Sequence, residues 1–124
     1  MNTRSKEESP RRERNGLVSH ILLQRGDLSD VGLTATYWVD VAPGSRQRPH
    51  EHPSEQVYVI TAGSGRMLVG EEERQVGSGN LIDVSPGAVH SIENTSEEML
   101  TYISAATPAL DAEAAYDRGQ LRSE

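Results

Sequence analysis

The sequence predicts an all-β domain of antiparallel strands, arranged as a sandwich or a small barrel. Three observations carry that prediction. About eight short segments are rich in Val, Ile, Thr and Tyr and are separated by turn clusters of Gly, Pro, Asn and Ser. No helical period stands between them, so no crossover helices are available for a parallel sheet. The length of 124 residues suits one domain with its own core and is too short for two.

Residues 1–14 hold Arg4, Lys6, Arg11, Arg12 and Arg14 against Glu7, Glu8 and Glu13, with no aliphatic residue beyond Met1. A segment that can bury nothing is expected to be a disordered tail. The barrel is expected over 15–108. Its strands read as "GLVSHILLQ" (16–24), "GLTATYWVDV" (32–41), "EQVYVITA" (55–62), "RMLVG" (66–70), "ERQV" (73–76), "NLIDV" (80–84), "HSIEN" (90–94) and "LTYISA" (100–105). The turns between them are "APGS", "AGSG", "GEE", "GSG", "SPGA" and "NTSEE". Only "TPALDAEAAYDRGQL" (107–121) has helical character, so the C-terminal tail, 109–124, is read as a short helix or an irregular segment. Phe is absent, which leaves Val, Ile, Leu, Trp38 and the tyrosines to fill the interior. So small a barrel would gain buried area by dimerising through an edge strand, and a homodimer is expected.

Composition narrows the function. There is no cysteine, which excludes disulfides and thiolate ligands. No apolar run approaches a membrane span and no signal-peptide core follows the N-terminus, so a soluble cytoplasmic protein with no membrane partner is expected. The formal charge of −7 argues against nucleic acid as a partner.

The chemistry concentrates at histidine. His50 and His52 are two apart, so on an extended chain both imidazoles point to one side. Gln56 lies four residues further and shares that side if the strand stays regular. His90 opens a later strand after a "SPGA" turn and would add a third imidazole if the two strands are neighbours. Imidazole suits Zn, Cu, Fe, Ni and Mn-class ions. The lone His20, in the first strand, is read as a packed or surface residue.

The segment Gly44–x5–His50–x–His52–x3–Gln56–x6–Gly63 resembles the first motif of the cupin family, G(X)5HXH(X)3,4E(X)6G. The segment Gly79–x5–Ser85–x–Gly87–x2–His90–x3–Asn94 resembles the second, G(X)5PXG(X)2H(X)3N. Ser64 to Ser78 form a short spacer between them, typical of small microbial cupins. The resemblance implies a jelly-roll β-barrel. It also implies one divalent transition metal (Mn, Fe, Ni, Co, Zn or Cu) held by His50, His52, Gln56 and His90. Two positions depart from the pattern. Ser85 replaces a turn proline, with Pro86 next to it. Gln56 replaces the usual glutamate ligand. An amide oxygen is a neutral donor, so the ion would keep its full +2 charge, attract an anionic ligand and act as a stronger Lewis acid. Glu55 could complete the site only if the strand bulges, because it and Gln56 point to opposite faces; Gln56 is favoured.

Other residues have two readings. Tyr58 follows Gln56 at period two and is either an acid–base group near the metal or a tyrosine filling the barrel. Arg46 and Arg48 precede His50 in the same alternation, so they would either meet an anionic ligand at the mouth or stay solvated. Trp38 is either cavity wall or core, with Tyr37 on the opposite face. The function expected is a metal-dependent enzyme acting on a small, oxygen-rich, anionic molecule. Its chemistry would be of isomerase, tautomerase, lyase or dioxygenase type. The other reading is a metal-containing barrel that binds or senses a small molecule without catalysis.

Overall fold

The computed structural model describes residues 1–24 and 34–109. Beyond Ala109 the C-terminal tail, read as a short helix or an irregular segment, lies outside the described residues. These residues form nine strands: β1 (Arg11–Arg14), β2 (Leu17–Leu23), β3 (Ala35–Val41), β4 (Glu55–Ala62), β5 (Ser64–Val69), β6 (Glu72–Gly77), β7 (Leu81–Val84), β8 (His90–Glu93) and β9 (Leu100–Thr107). All pairings are antiparallel. A six-stranded sheet runs β1-β2-β3-β9-β4-β7 and a three-stranded sheet runs β6-β5-β8. Together they make the all-β jelly-roll barrel.

Alternation sorts the side chains. On β3 the odd positions Ala35, Tyr37, Val39 and Val41 are buried, and on β4 the buried set is Gln56, Tyr58 and Ile60. All of these but Gln56 meet Leu17, Ile21, Ile92, Leu100, Tyr102 and Met67 in one apolar cluster. Burying aliphatic and tyrosine side chains in this way is the main stabilising term, at roughly 1.5–3 kcal/mol for each fully buried large residue. The tight β4–β5 connection depends on Gly63. Its φ is +79°, and a Cβ there would lie 2.4 Å from the Met99 carbonyl oxygen.

Two expectations change here. Residues 1–14 were expected to be disordered, yet Lys6–Glu8 form a 3-10 turn and Arg11–Arg14 pair with β2 as an edge strand. An edge strand needs only backbone hydrogen bonds on one side, so it can form without burying an aliphatic side chain. Its charges then sit on an open edge, where they discourage further strand pairing. Trp38 lies on the outer face of β3, opposite His20 of β2, with the Lys6 ammonium 4.8 Å from its ring centroid. Tyr37 occupies the interior instead, so Trp38 is not a wall of the cavity.

Candidate metal centre

The two motifs meet through the main chain. His50 and His90 form an antiparallel bridge in which each N–H donates to the other's carbonyl, at 3.1 and 2.9 Å. Rings on such a pair share a face, and their centroids are 4.2 Å apart. The Gly87 N–H donates to the His52 carbonyl at 2.8 Å, so the turn before β8 also clasps the first motif. His52 thereby lies 5.0 Å from His90 and 5.9 Å from His50, centroid to centroid. The ligand nitrogens of His50, His52 and His90 all fall within 4.8 Å of one another, a group that could hold a metal ion.

Gln56 enters from the second position of β4. It is 5% exposed, whereas Glu55 is exposed on the outer face. The Gln56 Oε1 lies 2.6 Å from His52 Nε2 and 3.1 Å from His90 Nε2. Its Nε2 donates to the Ser104 hydroxyl of β9. The regular start of β4 thus puts the amide, not Glu55, at the histidines.

Hydrogen bonds set the imidazole tautomers. Each Nδ1–H donates to a main-chain carbonyl: His50 to Arg48 at 2.8 Å, His52 to Ser54 at 3.1 Å and His90 to Ala88 at 2.9 Å. In a neutral ring this leaves the Nε2 lone pair free to ligate. Burial pushes the His50 pKa down to about 3, aided by the neighbouring imidazole of His90. Burial also pushes His90 down to about 4. Both are therefore neutral at pH 7.

The Nε2 atoms of three imidazoles and one amide carbonyl oxygen thus face a common point. The buried His50 Nε2 has no hydrogen-bond partner. Acceptors packed so closely repel unless a cation stands between them, and nitrogen and oxygen donors of this kind fit a divalent transition ion. His52 is the half-exposed member of the set, while His50 and His90 are buried.

Tyr58 stands beside the cluster. Its ring meets His90 edge-on at 6.0 Å and stacks on Tyr102 at 4.6 Å. Its hydroxyl donates to Gln47 Oε1 at 3.0 Å, and Gln47 Nε2 reaches the Tyr102 hydroxyl at 3.4 Å.

Gln47 was not foreseen, and it replaces Arg46 and Arg48 as the inward residue. Arg46 pairs with Glu93 and His50 with His90, so four steps on one strand face three on the other. The extra residue is a bulge in which Arg48 and Pro49 stand against Ser91. It turns Gln47 and His50 inward together and leaves both arginines exposed. The second unforeseen residue is Ser104. It shares the inner face of β9 with Tyr102, an alternation present in "LTYISA". The motif asparagine, Asn94, is structural: its Nδ2 donates to the carbonyls of Val41 (2.8 Å) and Glu98 (2.6 Å).

Known proteins share the fold and part of the sequence. An uncharacterized protein of Streptomyces coelicolor is 29% identical over 92 residues, spanning 74% of this chain and 81% of that protein. A Cupin 2 conserved barrel domain protein from Salinispora arenicola superposes with a TM-score of 0.73 at 19% identity, covering 95% of this chain and 98% of the other. The Bacillus subtilis oxalate decarboxylase, described with Mn(II) centres, gives a TM-score of 0.79 at 20% identity, over 89% of this chain but 30% of the larger enzyme. The family model for the cupin domain matches residues 37–106, more than half of the chain and all four residues around the centre. With its two interlocked motifs and its antiparallel barrel, the protein belongs to the cupin family.

Proposed function

We propose that this cupin binds one divalent transition metal through His50, His52, His90 and Gln56, and acts through it on a small, oxygen-rich, anionic metabolite. The observation that carries the proposal is the convergence of three Nε2 lone pairs with a neutral amide oxygen. None of these four groups would bring a negative charge. The centre would therefore keep the ion's full charge and favour carboxylate or enolate ligands. When bound, the ion would supply Lewis-acid polarisation of a substrate oxygen, or oxygen activation if it is Fe(II). The chain's own part is orientation: main-chain carbonyls fix the imidazole tautomers, and Ser104 engages the amide nitrogen. Isomerase, tautomerase or lyase chemistry fits such a neutral donor set better than dioxygenation. The Mn(II) centres of oxalate decarboxylase support Mn(II) as one ion to test.

One observation favours a second reading, a barrel that binds its ligand without turning it over. The Tyr58 hydroxyl, the nearest acid–base candidate, is already donating to Gln47. Metal analysis of the untagged protein, followed by assays on 2-oxo acids, uronates and 1,3-diketones, separates the two. Stoichiometric metal with turnover supports the enzyme. Metal with ligand binding and no turnover supports the binding barrel. Absence of metal would sink both.

A further inference from the structure

We infer that Ser104 is the positioning residue of this centre: its hydroxyl accepts from the Gln56 amide nitrogen, which lets the amide oxygen face the imidazoles with no buried N–H left bare. The inference rests on the metal-binding reading above.

A carboxylate in this slot presents oxygen whichever way it turns, but an amide does not. Reversed, the Gln56 NH2 would donate to the Nε2 atoms of His52 and His90, the same lone pairs a metal needs. Glutamine therefore requires a device that glutamate would not. Ser104 is placed to supply it. It lies on β9 opposite Tyr58, diagonal to Gln56, and is 1% exposed. Its hydroxyl is the one hydrogen-bond partner of the Gln56 nitrogen among the described residues. Without that hydroxyl, the observed orientation would leave a buried N–H group bare, whereas the reversed one would leave only a carbonyl oxygen bare. Bare buried N–H groups are the rarer and costlier of the two. Loss of Ser104 therefore tips the amide toward the orientation that competes with the metal.

The test is Co(II) binding by the full chain, in competition with a chelator. The proteins compared are wild type, Ser104→Ala, Ser104→Thr, Gln56→Glu and the double variant Q56E/S104A. Ser104→Ala should weaken Co(II) binding about 10–100-fold, the usual range for a group that orients a ligand. Ser104→Thr keeps a hydroxyl and should stay within about threefold of wild type, and in the Q56E background Ser104→Ala should also cost less than about threefold. Thermal unfolding of each metal-free variant checks that the fold is kept. Wild-type affinity in Ser104→Ala, or an equal loss in both backgrounds, would overturn the inference while leaving the metal centre intact. A wild-type protein that takes up no Co(II) overturns the metal reading itself, and the inference with it.

Discussion

At one end of the barrel interior, Leu17, Val41 and Leu100 lie side by side across β2, β3 and β9, each fully buried. At the other end the row running across β3, β9 and β4 is Ala35, Ala106 and Gln56, with His50, His90 and Ser104 close by. Strands β3 and β9 contribute to both rows. The apolar end is satisfied by contact alone, so its contribution follows buried area. The polar end is satisfied pair by pair: Tyr58 to Gln47, Gln56 to Ser104, each Nδ1 to a carbonyl. What remains over is a set of lone pairs. One end thus holds the fold together, and the other gathers a group of side chains that could hold a metal ion.

That contrast is sharpest for His90 and Leu100. His90→Ala should reduce metal affinity by at least about 100-fold, because it removes a ligand outright. Leu100→Ala should cost about 2–5 kcal/mol of stability and leave metal stoichiometry unchanged in the folded fraction. Metal analysis and denaturant unfolding of both variants check this, and a common effect on both readouts would erase the distinction.

Acid should strike the polar end. His50 and His90 titrate near 3 and 4 in the folded chain and near 6.5 when unfolded. Below about pH 6.5 the unfolded chain therefore binds protons that the folded one refuses, and stability falls as pH is lowered through that window toward 4 and then 3. Metal-free protein should lose roughly 2 kcal/mol per histidine between pH 7 and pH 5. Urea unfolding across that range measures it, and a flat profile would contradict the burial of these rings.

Tyr58→Phe removes a donor and leaves Gln47 Oε1 without it. A loss of about 1–3 kcal/mol is expected, read as a lower midpoint of unfolding. Retained turnover in that variant would exclude the hydroxyl from acid–base work. The smallest effect belongs to Arg48→Ala. With the side chain exposed and only its carbonyl engaged, stability should move by less than about 0.5 kcal/mol and anion binding should not change.

Much of this was legible in the chain. Eight strands were read to within a few residues, because turn glycines and prolines bracket segments that alternate. His50 and His52 could be singled out from their spacing, and His90 and Gln56 joined them through the resemblance to the two cupin motifs. What was missed has identifiable causes. β1 carries charges where a buried strand would carry aliphatics, and its pairing is a main-chain matter. Alternation divides Tyr37 from Trp38 without saying which faces inward; that is decided by what packs across the sheet. The bulge at Arg48 and Pro49 reverses the phase between Gln47 and His50, and only Pro49 in "GSRQRPH" hints at it. Ser104 takes its role from a partner forty-eight residues away.

The carbonyls that receive the three Nδ1 protons belong to Arg48, Ser54 and Ala88, a cation, a hydroxyl and a methyl. Chemically they have nothing in common except a peptide group. The tautomer of each ligand is thus written in the course of the backbone and has no letter of its own. A substitution scan of those three positions would pass over it. Nitrogen resonances of the imidazoles, followed as the path of the chain is altered, would read it directly.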